Sequence, residues 1–404
     1  MNTICLVIDR LHAGYVGAYG NSWIETPCLD RLAARSILFD QALVDSPQLE
    51  LLYRSYWHGR HAMCPQGPLR DRPTLAAMLR DAGVSTTLLT DEKTVAGHRL
   101  AADFDELIEI DPPVQLQVAD EIELTHLGKC FAQAISWLET AEEPFLLWCH
   151  LAGLGTVWDA PLEFRQAYRD QGDPPPSDKA DVAGAFLPPD HDPDQVLGFA
   201  QSYAGQVSLL DACLGALLEF LKGSPAGNET LLVLVSARGF PLGEHLRVGK
   251  CDDALYGELV HVPWMLRLPD EFGATLRTQT LVQPSDLWAT LLDWWGIDEK
   301  PPSPSGESLM PIIRGDAVDS VDRLCITAAQ GRAIRTPAWY LRTGGETELF
   351  AKPDDRWEVN NVADRCQEVV ECLEDALLQY EQTVRAGRIR DLPPLSEVLL
   401  SGLD

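Results

Sequence analysis

Four short apolar runs, at residues 3–8, 84–89, 144–150 and 230–236, constrain this chain more than any other feature. They are continuous rather than alternating, as expected of strands covered on both faces. Helical patterns separate them. Thr26-Pro27 supplies a cap residue and a first-turn proline, and Leu29, Leu32 and Ala33 follow as an apolar face. Residues 73–82 repeat that pattern and stop at Gly83. Leu124, Leu127, Phe131, Ile135 and Leu138 recur by three and four, which predicts an amphipathic helix over 119–140. Val196, Phe199, Tyr203, Val207, Leu210, Leu214, Leu217 and Leu221 mark a long helix ending at Gly223. Strands joined by crossovers of this length lie parallel, with helices on the faces of the sheet. The expected fold is α/β: a three-layer α/β/α arrangement around a mainly parallel central sheet.

A chain of 404 residues has room for two or three domains, or for one large α/β unit. We place the main domain at 1–320 and a smaller α+β subdomain at 321–404, with strand-like segments over 322–342 and a final helix over 364–385. Composition shifts at 301–305 (PPSPS), near that boundary. Residues 171–193 are rich in proline and aspartate and lack periodicity, so they read as an excursion from the core, a solvated loop or a lid.

Composition narrows the function classes. The formal net charge of −29 repels phosphate backbones and argues against nucleic-acid binding. No apolar run reaches the roughly 18 residues of a membrane span. The ten cysteines include no C-x-x-C pair, so a zinc or thioredoxin-type site has no support from spacing. Cys5, Cys149 and Cys213 fall in apolar segments and read as buried free thiols. Met1 leads directly into the first apolar run without a basic stretch or a cleavage signal, from which a cytoplasmic location is expected if the sequence is complete.

Asp9 follows the first apolar run, at the end of the strand where open α/β sheets bind their ligands. Around it a longer pattern develops. Asp9-Arg10-Leu11-His12-Ala13-Gly14 leads to Thr26-Pro27-x-Leu29-Asp30, and Gly59-Arg60 comes next. Then follow the run at 144–150 with Pro161-x-x-Phe164-Arg165, and Ser236-Ala237-Arg238-Gly239 with Gly243-Glu244-His245. Gly249-Lys250, Asp286-Leu287-x-x-Thr290, Gly306-x-Ser308-Leu309-x-Pro311 and Asn360-Asn361-Val362-Ala363-Asp364 complete the series. Taken in this order, the segments resemble the sulfatases of the alkaline phosphatase superfamily.

The resemblance implies sulfuric or phosphoric ester hydrolysis. In that chemistry a formylglycine, threonine or serine nucleophile works beside a divalent cation held by carboxylates, with Lys, His and Arg donors around the ester. Aligned on these motifs, the nucleophile position is Leu49, and leucine has no lone pair. Glu50 could replace it only through a one-residue slip. Of the metal ligands Asp9 is retained, while Arg10, Ala237 and Arg238 stand where further ligands are found in relatives. One carboxylate cannot satisfy a hard cation that takes about six oxygens. We expect an arginine to fill the vacated position and pair with Asp9, because a buried carboxylate left unpaired is costly.

Arg54, His58, Arg60 and Lys250 are candidate anion-binding residues. Lys250 in a solvated loop and Arg60 in a structural role are close rivals to that reading. His150 reads as a core histidine rather than a ligand, and Trp137, Trp148, Trp288, Trp294 and Trp295 as packing residues. The function expected is that of a sulfatase-like protein without catalysis, with no cofactor, and with binding of a small anion or a partner retained. The alternatives are an ester hydrolase with a rebuilt, Ca²⁺- or Mg²⁺-dependent site, and a scaffold that meets a basic partner.

Overall fold

A computed structural model describes residues 1–65, 73–250, 252–297, 305–316 and 321–402, and the structural statements below concern these. Of the proline-rich stretch at 301–305 only Ser305 falls among them. In chain order the strands are β1 (Asn2–Ile8), β2 (Ile37–Ala42), β3 (Ser85–Thr90), β4 (Glu106–Glu109), β5 (Phe145–Leu151), β6 (Ala185–Phe186) and β7 (Thr230–Ser236). They continue as β8 (Arg247–Val248), β9 (Trp264–Arg267), β10 (Arg277–Val282), β11 (Leu324–Thr327), β12 (Arg332–Arg335), β13 (Trp339–Thr343) and β14 (Glu348–Ala351). The chain forms two compact units, one of residues 1–38, 83–251 and 262–277, the other of 39–82, 252–261 and 278–404.

The first unit is built on a mainly parallel sheet with flanking helices, ordered β9-β7-β1-β5-β3-β4. Strand β1 pairs in parallel with β7 on one side and β5 on the other, while β9 runs antiparallel to β7. Ile4, Leu6 and Ile8 of β1 face one hydrophobic cluster, shared with Leu210, Leu214 and Leu217 of the helix Pro193–Gly223 and Leu127 and Phe131 of the helix His126–Leu138. Cys5 and Val7 point the other way and are also buried, which explains why this strand shows no alternation in sequence. The helix Pro193–Gly223 is long and apolar enough to cross a membrane, a length the sequence reading did not credit to any segment. It lies in this core, with 67% of its apolar window buried.

One expectation needs correction. The helix predicted from residue 119 begins only at His126, because the Thr125 side chain accepts the Gly128 N–H and caps it there. Ile122–Leu124 forms a separate short turn, and Leu124, counted above on the apolar face, is 55% exposed. The Pro/Asp-rich excursion is mostly solvent-exposed but is tied down at a few points. The Arg165 guanidinium donates to the carbonyls of Ser177 (2.6 Å) and Lys179 (2.8 Å), and β6 pairs antiparallel with β8. Ala180 and Leu187 are buried.

In the second unit β11 to β14 form an antiparallel meander covered by the helix Gln367–Arg385, the α+β arrangement expected at the C-terminus. Cys325, Ile334, Leu341 and Leu349 pack there with Leu373, Leu377 and Tyr380. The same unit contains the helices Leu49–His58 and Pro284–Trp294.

Candidate functional site

The parallel register of β1 and β7 sets Ile8 beside Ser236, so Asp9 and Ala237-Arg238 leave the sheet side by side. Ser236 ties the two strand ends together: its hydroxyl accepts the Leu11 N–H (3.2 Å) and donates to the Arg238 carbonyl (2.8 Å). From this position the guanidinium of Arg238 grips Asp9 in the two-pronged manner of an arginine–carboxylate pair, with Nε 3.0 Å from Oδ1 and Nη2 3.0 Å from Oδ2. Arg10 approaches the same carboxylate, its Nε 3.9 Å from Oδ2. Asp9, Arg10 and Arg238 are all buried.

Arg10 is held by several neighbours. Its backbone is left-handed (φ 67°), its carbonyl accepts the Tyr203 hydroxyl (2.5 Å), and that hydroxyl in turn accepts the His12 N–H (2.9 Å). Its side chain passes so close to Gly155 that a Cβ there would lie 2.9 Å from Cγ. Beside this loop, His12 Nε2 stands 3.7 Å from Glu244. Burial by itself would raise the pKa of Glu244, but His12 and the Leu242 N–H hold it below the ordinary range. At Asp9 the same contest is sharper. Burial pushes the carboxyl up, and the charges of Arg238 and then Arg10 overcome it, bringing the pKa from 3.8 to about 2. Burial also lowers the pKa of His150, a core residue of β5.

The residues at this strand tip do not fit a dication. Both Asp9 oxygens accept hydrogen bonds from Arg238, Ala237 has no donor atom, and two guanidinium groups stand at the carboxylate.

The other sequence candidates fall on the helix Leu49–His58 and just past its end, in the second unit, and at Lys250 in the first. Leu49 is the first residue of its helix and is buried, and Glu50 beside it is exposed. The Arg54 Nη2 donates to the carbonyls of Cys64 (2.9 Å) and Pro65 (3.3 Å). His58 is buried at the end of the helix, and the Arg60 carbonyl accepts the Ser55 hydroxyl (2.8 Å). Lys250, in the first unit, is exposed and lines a cavity of about 390 Å³ with Gly155, Thr156, Ala183, Phe186 and Val248. Tyr203 was missed by the motif reading. It stands 193 residues from the carbonyl it binds, and no local spacing announces it.

A mainly parallel sheet with a carboxylate at the tip of its first strand is the architecture of the alkaline phosphatase superfamily. The family model described as Sulfatase matches residues 1–297, and the chain belongs to the sulfatase family. The uncharacterized sulfatase YidJ of Escherichia coli K12 is 23% identical over 95% of this chain and 88% of its own. A Δ4,5-hexuronate-2-O-sulfatase of Bacteroides thetaiotaomicron is 22% identical over 90% of this chain and 84% of its own. An N-acetylglucosamine-6-O-sulfatase of the same organism is 26% identical over 45% of this chain, a match spanning only 36% of that relative. Among solved structures, the phosphonate monoester hydrolase of Agrobacterium radiobacter superposes with a TM-score of 0.74 at 17% identity, covering 96% of this chain and 95% of that one.

Proposed function

We propose that this sulfatase-family protein does not hydrolyse esters by metal-assisted covalent catalysis and acts by binding instead. The Arg238–Asp9 pair carries this reading. A guanidinium bonded to both carboxylate oxygens supplies positive charge where a cation would sit, but it cannot accept an ester oxygen as a ligand or lower the pKa of a nucleophile as a dication does. The leucine at the position aligned with the nucleophile supports the same conclusion from a separate part of the chain, since a hydrocarbon cannot form a covalent ester. For the ligand, Lys250 gives its cavity one cation, the charge a small oxyanion would need, while the Thr156 hydroxyl there donates to the Ala152 carbonyl (3.1 Å).

The test is a panel of aryl sulfates, phosphate monoesters and phosphonate monoesters, assayed with added Ca²⁺, Mg²⁺ or Mn²⁺. We expect no metal-stimulated turnover above the buffer rate. Turnover that needs one of these ions and disappears in Asp9→Ala would overturn the proposal. Calorimetric titration with sulfate and phosphate addresses the ligand, and Lys250→Met is expected to abolish whatever binding is seen.

A further inference from the structure

A second cluster lies in the first unit, away from the motifs of the family resemblance. Asp91 is the residue after β3, and His126 and Cys130 sit one turn apart on the first residues of their helix. An i, i+4 spacing puts the last two on one helix face. His126 Nε2 lies 2.7 Å from Asp91 Oδ2 and 3.9 Å from Cys130 Sγ. One oxygen, one nitrogen and one sulfur therefore converge with all pairs within 4.8 Å, and all three residues are buried.

The surroundings hold these groups in place. Asp91 Oδ1 accepts the Ala152 N–H (2.6 Å), which fixes the plane of the carboxylate. The His126 backbone N–H donates to Asp159 Oδ2 (2.6 Å), and Gln206 reaches Oδ1 of that aspartate (3.3 Å), which fixes the start of the helix rather than the ring. The Ala152 bond to Asp91 is of the second-rank kind that orients a metal ligand.

We propose that Asp91, His126 and Cys130 form a binding site for a zinc-class divalent ion. Bonds of about 2.0–2.3 Å in tetrahedral geometry separate ligand atoms by roughly 3.2–3.8 Å. The Cys130–His126 distance is already near this range, and Asp91 and His126 need to part by only about 0.5 Å or slightly more. The charges also balance: a thiolate and a carboxylate neutralise a dication, leaving no net charge in the core. The donor set selects the ion, because sulfur and imidazole nitrogen suit zinc and poorly suit Ca²⁺ or Mg²⁺. On binding, the Cys130 thiol loses its proton to solvent as sulfur bonds the metal. The Asp91–His126 hydrogen bond is exchanged for two metal bonds: its proton leaves Nε2 for solvent as Nδ1 takes one up, so the imidazole stays neutral with its proton on Nδ1. Three protein ligands leave the fourth tetrahedral position to a non-protein ligand. The bound ion would tie the end of β3 to the start of the helix.

The experiment is expression of the full chain in medium supplied with zinc or cobalt, followed by metal analysis and absorption spectroscopy. We expect about one ion per chain and, for the cobalt protein, a thiolate-to-cobalt charge-transfer band. Cys130→Ser should remove the band, and Asp9→Asn should keep it, which separates this site from the strand tip. Wild-type protein without stoichiometric metal, or a band that persists in Cys130→Ser, overturns the proposal. Circular dichroism checks that the variant folds. If it does not, metal content and the band in the wild type decide the question by themselves.

Discussion

The Asp9–Arg238 pair is the residue-scale feature from which the functional reading follows. Removing Arg238 leaves the buried carboxylate with only the more distant charge of Arg10, so Arg238→Met alone is expected to cost up to about 3–5 kcal/mol. The double variant Asp9→Asn/Arg238→Met removes both charges of the pair but also takes the Asp9 carboxylate away from buried Arg10, so it should recover only part of that loss in urea denaturation. Acid titration gives an independent reading of the same pair. The folded pKa of Asp9, about 2, lies below its ordinary 3.8, so the associated stability is fully present above pH 3.8 and is lost as pH falls through 2. Between pH 5 and 2 the wild type should lose on the order of 2 kcal/mol more than the double variant. Equal losses in the two proteins would show that the pair does not hold the carboxylate ionised. The sequence made a partnership of Asp9 with an arginine legible, because a retained carboxylate among lost ligands needs a counter-charge. It left Arg10 and Arg238 equal as partners, and the β1–β7 register decided for the two-pronged contact from Arg238.

At the scale of elements, the apolar runs became strands within a residue or two of the expected bounds, whereas helix starts depended on partners far along the chain. Thr26 reads as the cap of the helix Pro27–Ala34, but its side chain makes no capping bond to that helix. Its hydroxyl instead accepts the Gly17 N–H (2.9 Å) and donates to Asp30. The open N–H groups at Cys28 and Leu29 are taken by Asp211, 182 residues away from Leu29, on the helix Pro193–Gly223 (3.0 and 2.7 Å). We therefore expect Asp211→Ala to destabilise the protein by about 1–2 kcal/mol and Asp211→Asn by less, as measured by thermal denaturation. An unchanged midpoint in Asp211→Ala would count against the long-range cap. Two family motifs have a similar explanation. Asp286 and Thr290 accept the N–H groups of Glu307 (2.9 Å) and Leu309 (2.9 Å), and the Ser308 hydroxyl donates to Asp293 (2.7 Å). The G-x-S-L segment is thus laid along the helix Pro284–Trp294, and a Cβ at Gly306 would meet the Ser285 carbonyl at 2.1 Å. Both motifs were visible in sequence, but this contact between them was not.

For the whole molecule, a net charge of −29 is a source of self-repulsion in the folded state. Raising the salt from about 0.01 to about 0.15 M shortens the screening length from roughly 30 to 8 Å. We expect Tm to rise by a few degrees over that interval in calorimetry, and a flat or falling Tm would refute dominant self-repulsion. The sequence by itself determined the α/β class, the positions of the central strands along the chain, the family, and the substitutions at Leu49, Ala237 and Arg238. These are written in local periodicity and in ordered motifs, which short stretches of chain carry on their own. Only the tertiary structure decided that Arg238 is the arginine that clasps Asp9, that Arg54 is engaged by backbone carbonyls, and that Asp91 meets His126 and Cys130. Those outcomes depend on which residues the sheet register and helix packing bring together, and contacts between groups tens to hundreds of residues apart leave no periodic trace in the chain.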